Sequence, residues 1–168
     1  MNFLGVIDCI KAILPHFKQK KAGMIINVTS IGGLLTLPLF GIYNSSKFAL
    51  EGLSEGMWYD LQQFGIKVKL IEPGGIKTDF SGRSLNIFDM KDFPEYKTYN
   101  ENFITKMRDP QRTAKYGTPE MVADVIYTAA TDGKDTLRYL AGKDAKQFRF
   151  IRRWFGYKFQ MSQLKKYF

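Results

Sequence analysis

One histidine and one cysteine are all this 168-residue chain carries of those two residue types. A lone cysteine, Cys9, cannot close an internal disulfide, which fits a reducing compartment, by default the cytoplasm. With His16 it is too little for a Cys/His zinc cluster, and no carboxylate spacing suggests another metal. A Ser-His-Asp triad would have to use His16, which lies in the lysine-rich and solvated-looking stretch "PHFKQKKAG". No apolar run approaches the roughly 20 residues that span a bilayer. The apolar residues near Met1 are not followed by the small-residue cleavage site of a secretory leader. Disulfide scaffolds, zinc modules and membrane spans are thereby set aside.

What the chain does have is apolar mass and an uneven charge. Hydrophobic residues make up 45% and aromatics 15%, which indicates a globular chain, and the length suits one domain, 1–168, with a core of its own. The net charge is +9, and +7 of it lies in the tail 143–168, where Asp144 is the one acid. That tail interleaves its cations with Phe148, Phe150, Trp154, Phe155, Tyr157 and Phe159. Such a segment can meet an anionic surface or nucleic acid. It can equally be an amphipathic helix that docks its aromatics and solvates its arginines. Phe148, Ile151 and Phe155, like Met161, Leu164 and Phe168, follow helical spacing, which favours docking.

Helix, strand, helix, strand, helix, strand is the order along the chain. Leu4, Ile7, Ile10, Leu14 and Phe17 predict a helix over 2–20, with Pro15 expected to kink its end. "GMIINVTS" reads as a buried parallel strand, and the loop after it is punctuated by Gly32, Gly33, Pro38 and Gly41. A second helix is predicted over 43–64, with Leu50, Leu53, Met57, Leu61 and Phe64 on one side and the small residues Ala49, Gly52 and Gly56 on the other. "IKVKLIEPGG" is a strand stopped by Pro73. The polar and aromatic stretch 79–116 is long enough to be a lid or binding region. Thr118, Pro119 and Glu120 open a third helix that Gly133 ends, and "TLRYLAG" is a third strand. This alternation implies crossover connections and a parallel sheet, whose ligands sit beyond the carboxyl ends of the strands. Here those ends are Thr29–Ser30 and Glu72–Gly75.

Tyr43 and Lys47 stand four residues apart at the start of the second helix, so their side chains point the same way. A fixed ammonium near a phenol stabilises the phenolate, and a tyrosine made acidic in this way can exchange a proton with a carbonyl or alcohol oxygen. Ser30, at the mouth of the same crevice, offers a hydroxyl to that oxygen, or else caps a turn. The glycines of "EPGGIKT" allow a flat ligand to come close, with Thr78 as a hydroxyl partner, or else form a tight turn.

The segments "GMIINVTSIGG", "YNSSKFALEGLSEGM" and "GIKVKLIEPGGIKTDF" together resemble the short-chain dehydrogenases/reductases. "SKFALEGLSE" and "RYLAGKDAK" are most similar to the branch related to 17β-hydroxysteroid and retinol dehydrogenases. The resemblance implies a Rossmann-type, doubly wound α/β fold and an NAD- or NADP-dependent oxidoreductase acting on an alcohol/carbonyl pair. It implies Tyr43 as general acid/base and Lys47 as the group that depresses its pKa and bonds the nicotinamide ribose. Ser30 would polarise the substrate carbonyl, and Asn2, in the first helix, would hold a water of the proton relay. Pro73, Gly74 and Ile76 would pack near the nicotinamide and Thr78 would bond its carboxamide.

The segment 79–116 would close over the substrate. Its Phe80, Leu85, Ile87, Phe88, Phe93, Tyr96, Tyr99 and Phe103 suit an apolar substrate or a small core of their own.

Members of that family begin with a strand, a glycine-rich turn and a helix that cradle the pyrophosphate. No such turn follows any strand here, so the sequence looks like the C-terminal part of such an enzyme, expected to bind NAD(P) weakly and not to turn over alone. The alternative is a non-catalytic half-Rossmann interaction module. In the family the two long helices commonly build an oligomer interface, so 2–20 and 43–64 are the expected dimer or tetramer contacts. A small-molecule substrate, a peripheral membrane contact by the basic tail, and no nucleic acid complete the expected partners.

Overall fold

The computed structural model of the chain describes residues 2–81 and 93–167. Three strands form one parallel sheet in the order β1 (Gly23–Val28), β2 (Ile66–Pro73), β3 (Arg138–Ala141). Gly23 pairs with Ile66 and Leu70 with Arg138 in its register. The central strand is β2, and its apolar run explains why: Ile66, Val68, Leu70 and Ile71 are at most 1% exposed. Each such side chain contributes about 1.5–3 kcal/mol by leaving water.

Helices cover both faces of this sheet, as the α/β alternation predicts. On one side Ile25, Ile66 and Val68 pack with Ile10 of α1 (Leu4–Lys20) and Leu61 of α2 (Gly41–Leu61). Leu53, Met57 and Phe64 join them from the expected apolar side of the second helix. On the other side Ile71 and Ala141 meet Ala129 of α5 (Pro119–Thr131), with Ile26, Val122 and Val125 around them. Thr118 caps α5 as expected, its hydroxyl accepting from the Met121 N–H. Between α2 and α5 the described residues of the segment 79–116 hold two short turns and the helices α3 (Lys97–Met107) and α4 (Pro110–Thr113). Leu85, Ile87 and Phe88 lie outside the described residues.

Four details differ from the sequence reading. α1 runs through Pro15 to Lys20 as expected, the carbonyl of exposed Lys11 being open to water, but α2 opens at Gly41, two residues ahead of its predicted start. Asn2 is exposed in the turn ahead of α1 and does not sit inside the helix, whose first N–H groups bond to the Phe3 carbonyl.

The basic tail is helical as α6 (Lys143–Tyr167), broken at Gly156, where φ is 74°. It does not dock most of its aromatics: Phe150, Trp154, Phe155, Tyr157 and Phe159 are exposed. Ala145, Gln160 and Leu164 are the residues it buries, while Phe148 and Ile151 are half-buried. Phe155 shares helical spacing with those two but stays exposed, its ring against Phe150 and Phe159.

Fourth, β2 buries two charges to which the sequence reading gave no role. Lys69 is fully buried and donates to the Ala129 carbonyl at 2.5 Å, Asp132 Oδ1 at 2.8 Å and the Tyr139 hydroxyl at 3.1 Å. Glu72, also fully buried, accepts from Arg138 and from Arg149. Arg138 binds Glu51 and Glu55 of α2 as well, so one guanidinium ties α2, β2 and β3 together.

Candidate active site

At the carboxyl end of β1, Ser30 leaves the strand in extended conformation and caps a short turn, Ile31–Gly33, by accepting from the Gly32 N–H at 3.0 Å. That turn lies against the start of α2. A Cβ on Gly32 would come within 2.9 Å of Asn44 Nδ2 and 3.0 Å of Tyr43 Cε1, and one on Gly33 within 3.1 Å of the Lys47 carbonyl. The glycine pair is therefore what lets the serine turn and the first turns of α2 touch.

Asn44 locks the approach. It is 1% exposed, donates to the carbonyls of Gly32 and Leu35, and accepts from the Leu37 N–H. The sequence reading gave Asn44 no role. The signal was present: Asn44, Lys47, Glu51 and Ser54 form a polar stripe at helical spacing on α2, and three of the four are buried.

The Tyr43 ring and the Ser30 hydroxyl flank Gly32, where a Cβ would lie 3.0 Å from Tyr43 Cε1 and 3.4 Å from Ser30 Oγ. Lys47 lies one turn on, its Nζ 5.9 Å from the Tyr43 ring centre, and donates to the Val28 carbonyl at 3.1 Å. The structure thus brings Ser30, Tyr43 and Lys47 to one rim of the sheet.

The electrostatics depart from expectation. The phenol of Tyr43 is held above its ordinary value of 10.0, because burial disfavours the phenolate more than the Ser30 hydroxyl favours it. Lys47 is held below its ordinary 10.5 by burial, which the nearby Glu51 partly offsets. An ammonium pointed at a strand carbonyl does not make this tyrosine acidic.

Aromatic rings cause the burial. Tyr43 meets Phe40 at 5.8 Å edge-on and Phe80 at 5.5 Å, and Phe40 touches Phe103 at 5.8 Å. Phe103 is 4% exposed and so belongs to a local core, whereas Phe93, Tyr96 and Tyr99 of the same segment stay exposed. Of the two uses foreseen for these aromatics, Phe103 and Phe80 show the small core of their own.

After β2 the chain runs Pro73–Thr78 toward the same place, since Phe80 ends on Tyr43. Gly74 and Gly75 are pressed by neighbours: Cβ atoms there would overlap the Asp144 carboxylate and the Tyr116 ring. Asp144, from the first turn of α6, accepts from the Gly75 N–H at 2.6 Å and fixes the turn. Ile76 bridges to Gly117. Ile76, Lys77, Thr78 and Asp79 then line one wall of an open cavity of about 590 Å³, faced by Pro110, Thr113, Ala114 and Tyr116. Thr78 is exposed, and its hydroxyl accepts only a long bond, 3.4 Å, from the Phe80 N–H.

Asn2 is the one candidate whose position gives no sign of joining this group.

Comparison with known proteins agrees with the geometry. A profile described as short chain dehydrogenase matches residues 1–86. An uncharacterized oxidoreductase of Schizosaccharomyces pombe is 38% identical over 151 residues, covering 90% of this chain and 62% of that protein. Human 17-beta-hydroxysteroid dehydrogenase type 1 is 34% identical over 143 residues, 83% of this chain and 43% of that one. Among solved structures, a short-chain dehydrogenase from Streptomyces avermitilis superposes with a TM-score of 0.73 at 28% identity, over 99% of this chain and 57% of that chain. ElxO with NADP bound gives 0.62 at 27% identity, over 87% and 55%. The chain therefore spans 43–62% of the relatives named here. With the serine, tyrosine and lysine gathered at the strand ends and a family profile covering residues 1–86, this chain belongs to the short chain dehydrogenase family.

Proposed function

We propose that this chain carries the catalytic and nicotinamide-facing part of an NAD- or NADP-dependent oxidoreductase that interconverts an alcohol and a carbonyl of fairly apolar character. One arrangement carries the reading: the Ser30 hydroxyl and the Tyr43 phenol flank Gly32, while Lys47, one turn from Tyr43, uses a single hydrogen bond. An ammonium has three donors. Two remain on Lys47 for the hydroxyls of a nicotinamide ribose, and the cavity beside Ile76 and Thr78 leaves room for the flat ring. The residues present fit that half of the cofactor.

When bound, a nicotinamide supplies or accepts the hydride. The protein's part is proton transfer and orientation. Tyr43 gives its phenolic proton to the substrate oxygen during reduction and takes it back during oxidation. Ser30 donates its hydroxyl proton in a hydrogen bond to the substrate oxygen and so fixes the reacting carbonyl. Lys47 stabilises the phenolate that Tyr43 becomes. Burial among Phe40 and Phe80 keeps Tyr43 protonated until substrate arrives, and the exposed Phe93, Tyr96 and Tyr99 favour an apolar substrate body.

No glycine-rich phosphate turn follows any strand within these residues. The chain by itself is accordingly expected to bind NADPH weakly and to be inactive, and micromolar binding in a calorimetric titration would contradict this. The catalytic assignment is tested in a chain extended at its N-terminus by the nucleotide-binding half of a relative, assayed with graded ketones and NADPH. Tyr43→Phe should lower turnover about 10²–10⁴-fold, and unchanged turnover would remove the reading. A homo-oligomer through α1 and α2 belongs to the same proposal: Gly5, Gly52 and Gly56 have open space beside them, and Ile42, Phe48 and Tyr59 are exposed.

A further inference from the structure

Helix α6 combines three features that no step of the proposed reaction uses. First, its exposed rings touch one another. Trp154 and Phe155 both lie against Phe150, at 6.3 and 6.5 Å between ring centres, and Phe155 lies 5.1 Å from Phe159 beyond the Gly156 break. They make a continuous apolar strip whose members are 42–68% exposed. Isolated exposed apolar residues are ordinary on a protein surface, whereas a continuous strip marks a contact.

Second, the strip is bordered by cations. Lys146, Arg153 and Lys158 have no ion pair among the described residues, and the tail's one acid, Asp144, is held by the Gly75 N–H. Third, Arg138, Arg149, Arg152 and Arg153 line a cavity of about 280 Å³ against Leu34. Arg138 and Arg149 serve Glu72 there, and Arg152 donates to Gln160 at 3.2 Å. Arg153 makes no hydrogen bond among the described residues and Arg152 keeps donors to spare, so both can take an outside anion.

We propose that α6 is a membrane-surface anchor. The ring strip enters the boundary between headgroups and acyl chains of an anionic bilayer, while Arg153 and its neighbouring cations hold lipid phosphate. Among the described residues no helix is long and apolar enough to cross a membrane, so the mode is lying on the surface. Tryptophan and tyrosine suit that depth, and lysine and arginine reach outward to phosphate along their aliphatic stems.

Charge selects this occupant. A second copy of the helix would bring like charges face to face, which opposes self-pairing. A single-stranded nucleic acid would need separated ring faces on which bases stack. Here the rings occupy one another. The inference is independent of the catalytic reading.

Co-sedimentation of the full chain with vesicles tests it. Phosphatidylcholine vesicles containing phosphatidylserine should bind at least about tenfold more tightly than phosphatidylcholine alone, and the difference should shrink at high salt. The double variant R152E/R153E should lose about tenfold or more on the anionic vesicles, and F150S/W154S should lose the blue shift of tryptophan emission that accompanies insertion. Both variants change exposed side chains, and unaltered melting curves will confirm that their folds persist. Equal binding to the two vesicle types would overturn the proposal, as would displacement from vesicles by an equal concentration of single-stranded oligonucleotide. So would a concentration-dependent dimer abolished by F150S/W154S.

Discussion

Two lysines, twenty-two residues apart in the chain, show how the same ammonium serves two purposes. Lys69 is fully buried and spends all three donors, on Ala129, Asp132 and Tyr139. Its partners outweigh the cost of burial, and the ammonium is held above its ordinary 10.5. Lys47 is half-buried, has one strand carbonyl, and is held below the same value because burial is the larger influence. A saturated lysine fastens α5 to the sheet. An undersupplied one, beside a tyrosine and a serine at the strand ends, has donors left for a ligand. Undersupply at a rim is thus the physical mark of the candidate site.

Substitutions that remove each ammonium in turn should separate the two roles. In the N-terminally extended enzyme, Lys47→Met is expected to cost about 10³-fold in turnover, with an unfolding free energy within about 1 kcal/mol of wild type. Lys69→Met should do the reverse, costing about 3 kcal/mol in a denaturant titration because it leaves Asp132 and Tyr139 without their cation. Any loss of activity it causes should disappear under conditions where the variant is fully folded. Asn44→Ala is expected to cost about 2 kcal/mol, since the carbonyls of Gly32 and Leu35 and the Leu37 N–H each lose a partner. It should also lower turnover, because the Ser30 turn loses its register on α2.

The smallest of these effects concerns acid. Lys69 and Tyr139 hold the Asp132 carboxyl well below its ordinary 3.8. A depressed carboxylate contributes stability that is present above its unfolded value and lost as pH falls through the folded one. Thermal melts should therefore decline below about pH 4, and Asp132→Asn should flatten that limb. An equally steep decline in the variant would assign the acid sensitivity elsewhere.

Local signals carried the strand–helix alternation, the apolar side of α2, the Thr118 cap and the Ser30–Tyr43–Lys47 trio, because each is written within a turn or a strand. Charges paired across the sheet were hidden. Lys69 gave no local sign of burial, since its partners come from α5, its C-cap and β3, sixty or more residues away. Glu51 and Glu72 likewise find their arginine, Arg138, only in the fold. The tail misled for a related reason. Helical spacing showed that α6 would be amphipathic, but not whether the sheet had surface left to receive its rings. The direction of the Tyr43 shift was also out of reach, because sequence places Lys47 near the ring yet gives no hint of the Val28 carbonyl or of the aromatic cover.

That shift offers the most direct test of the comparison. Phenolate absorbance near 295 nm, taken as the difference between the wild-type chain and Tyr43→Phe, isolates one phenol among nine tyrosines. In the cofactor-free chain its midpoint should lie above 10.0, rise further in Ser30→Ala, and stay in place in Lys47→Met. A midpoint at or below 10.0, or one that climbs when Lys47 is removed, would show the ammonium already committed to the phenol and would contradict the account.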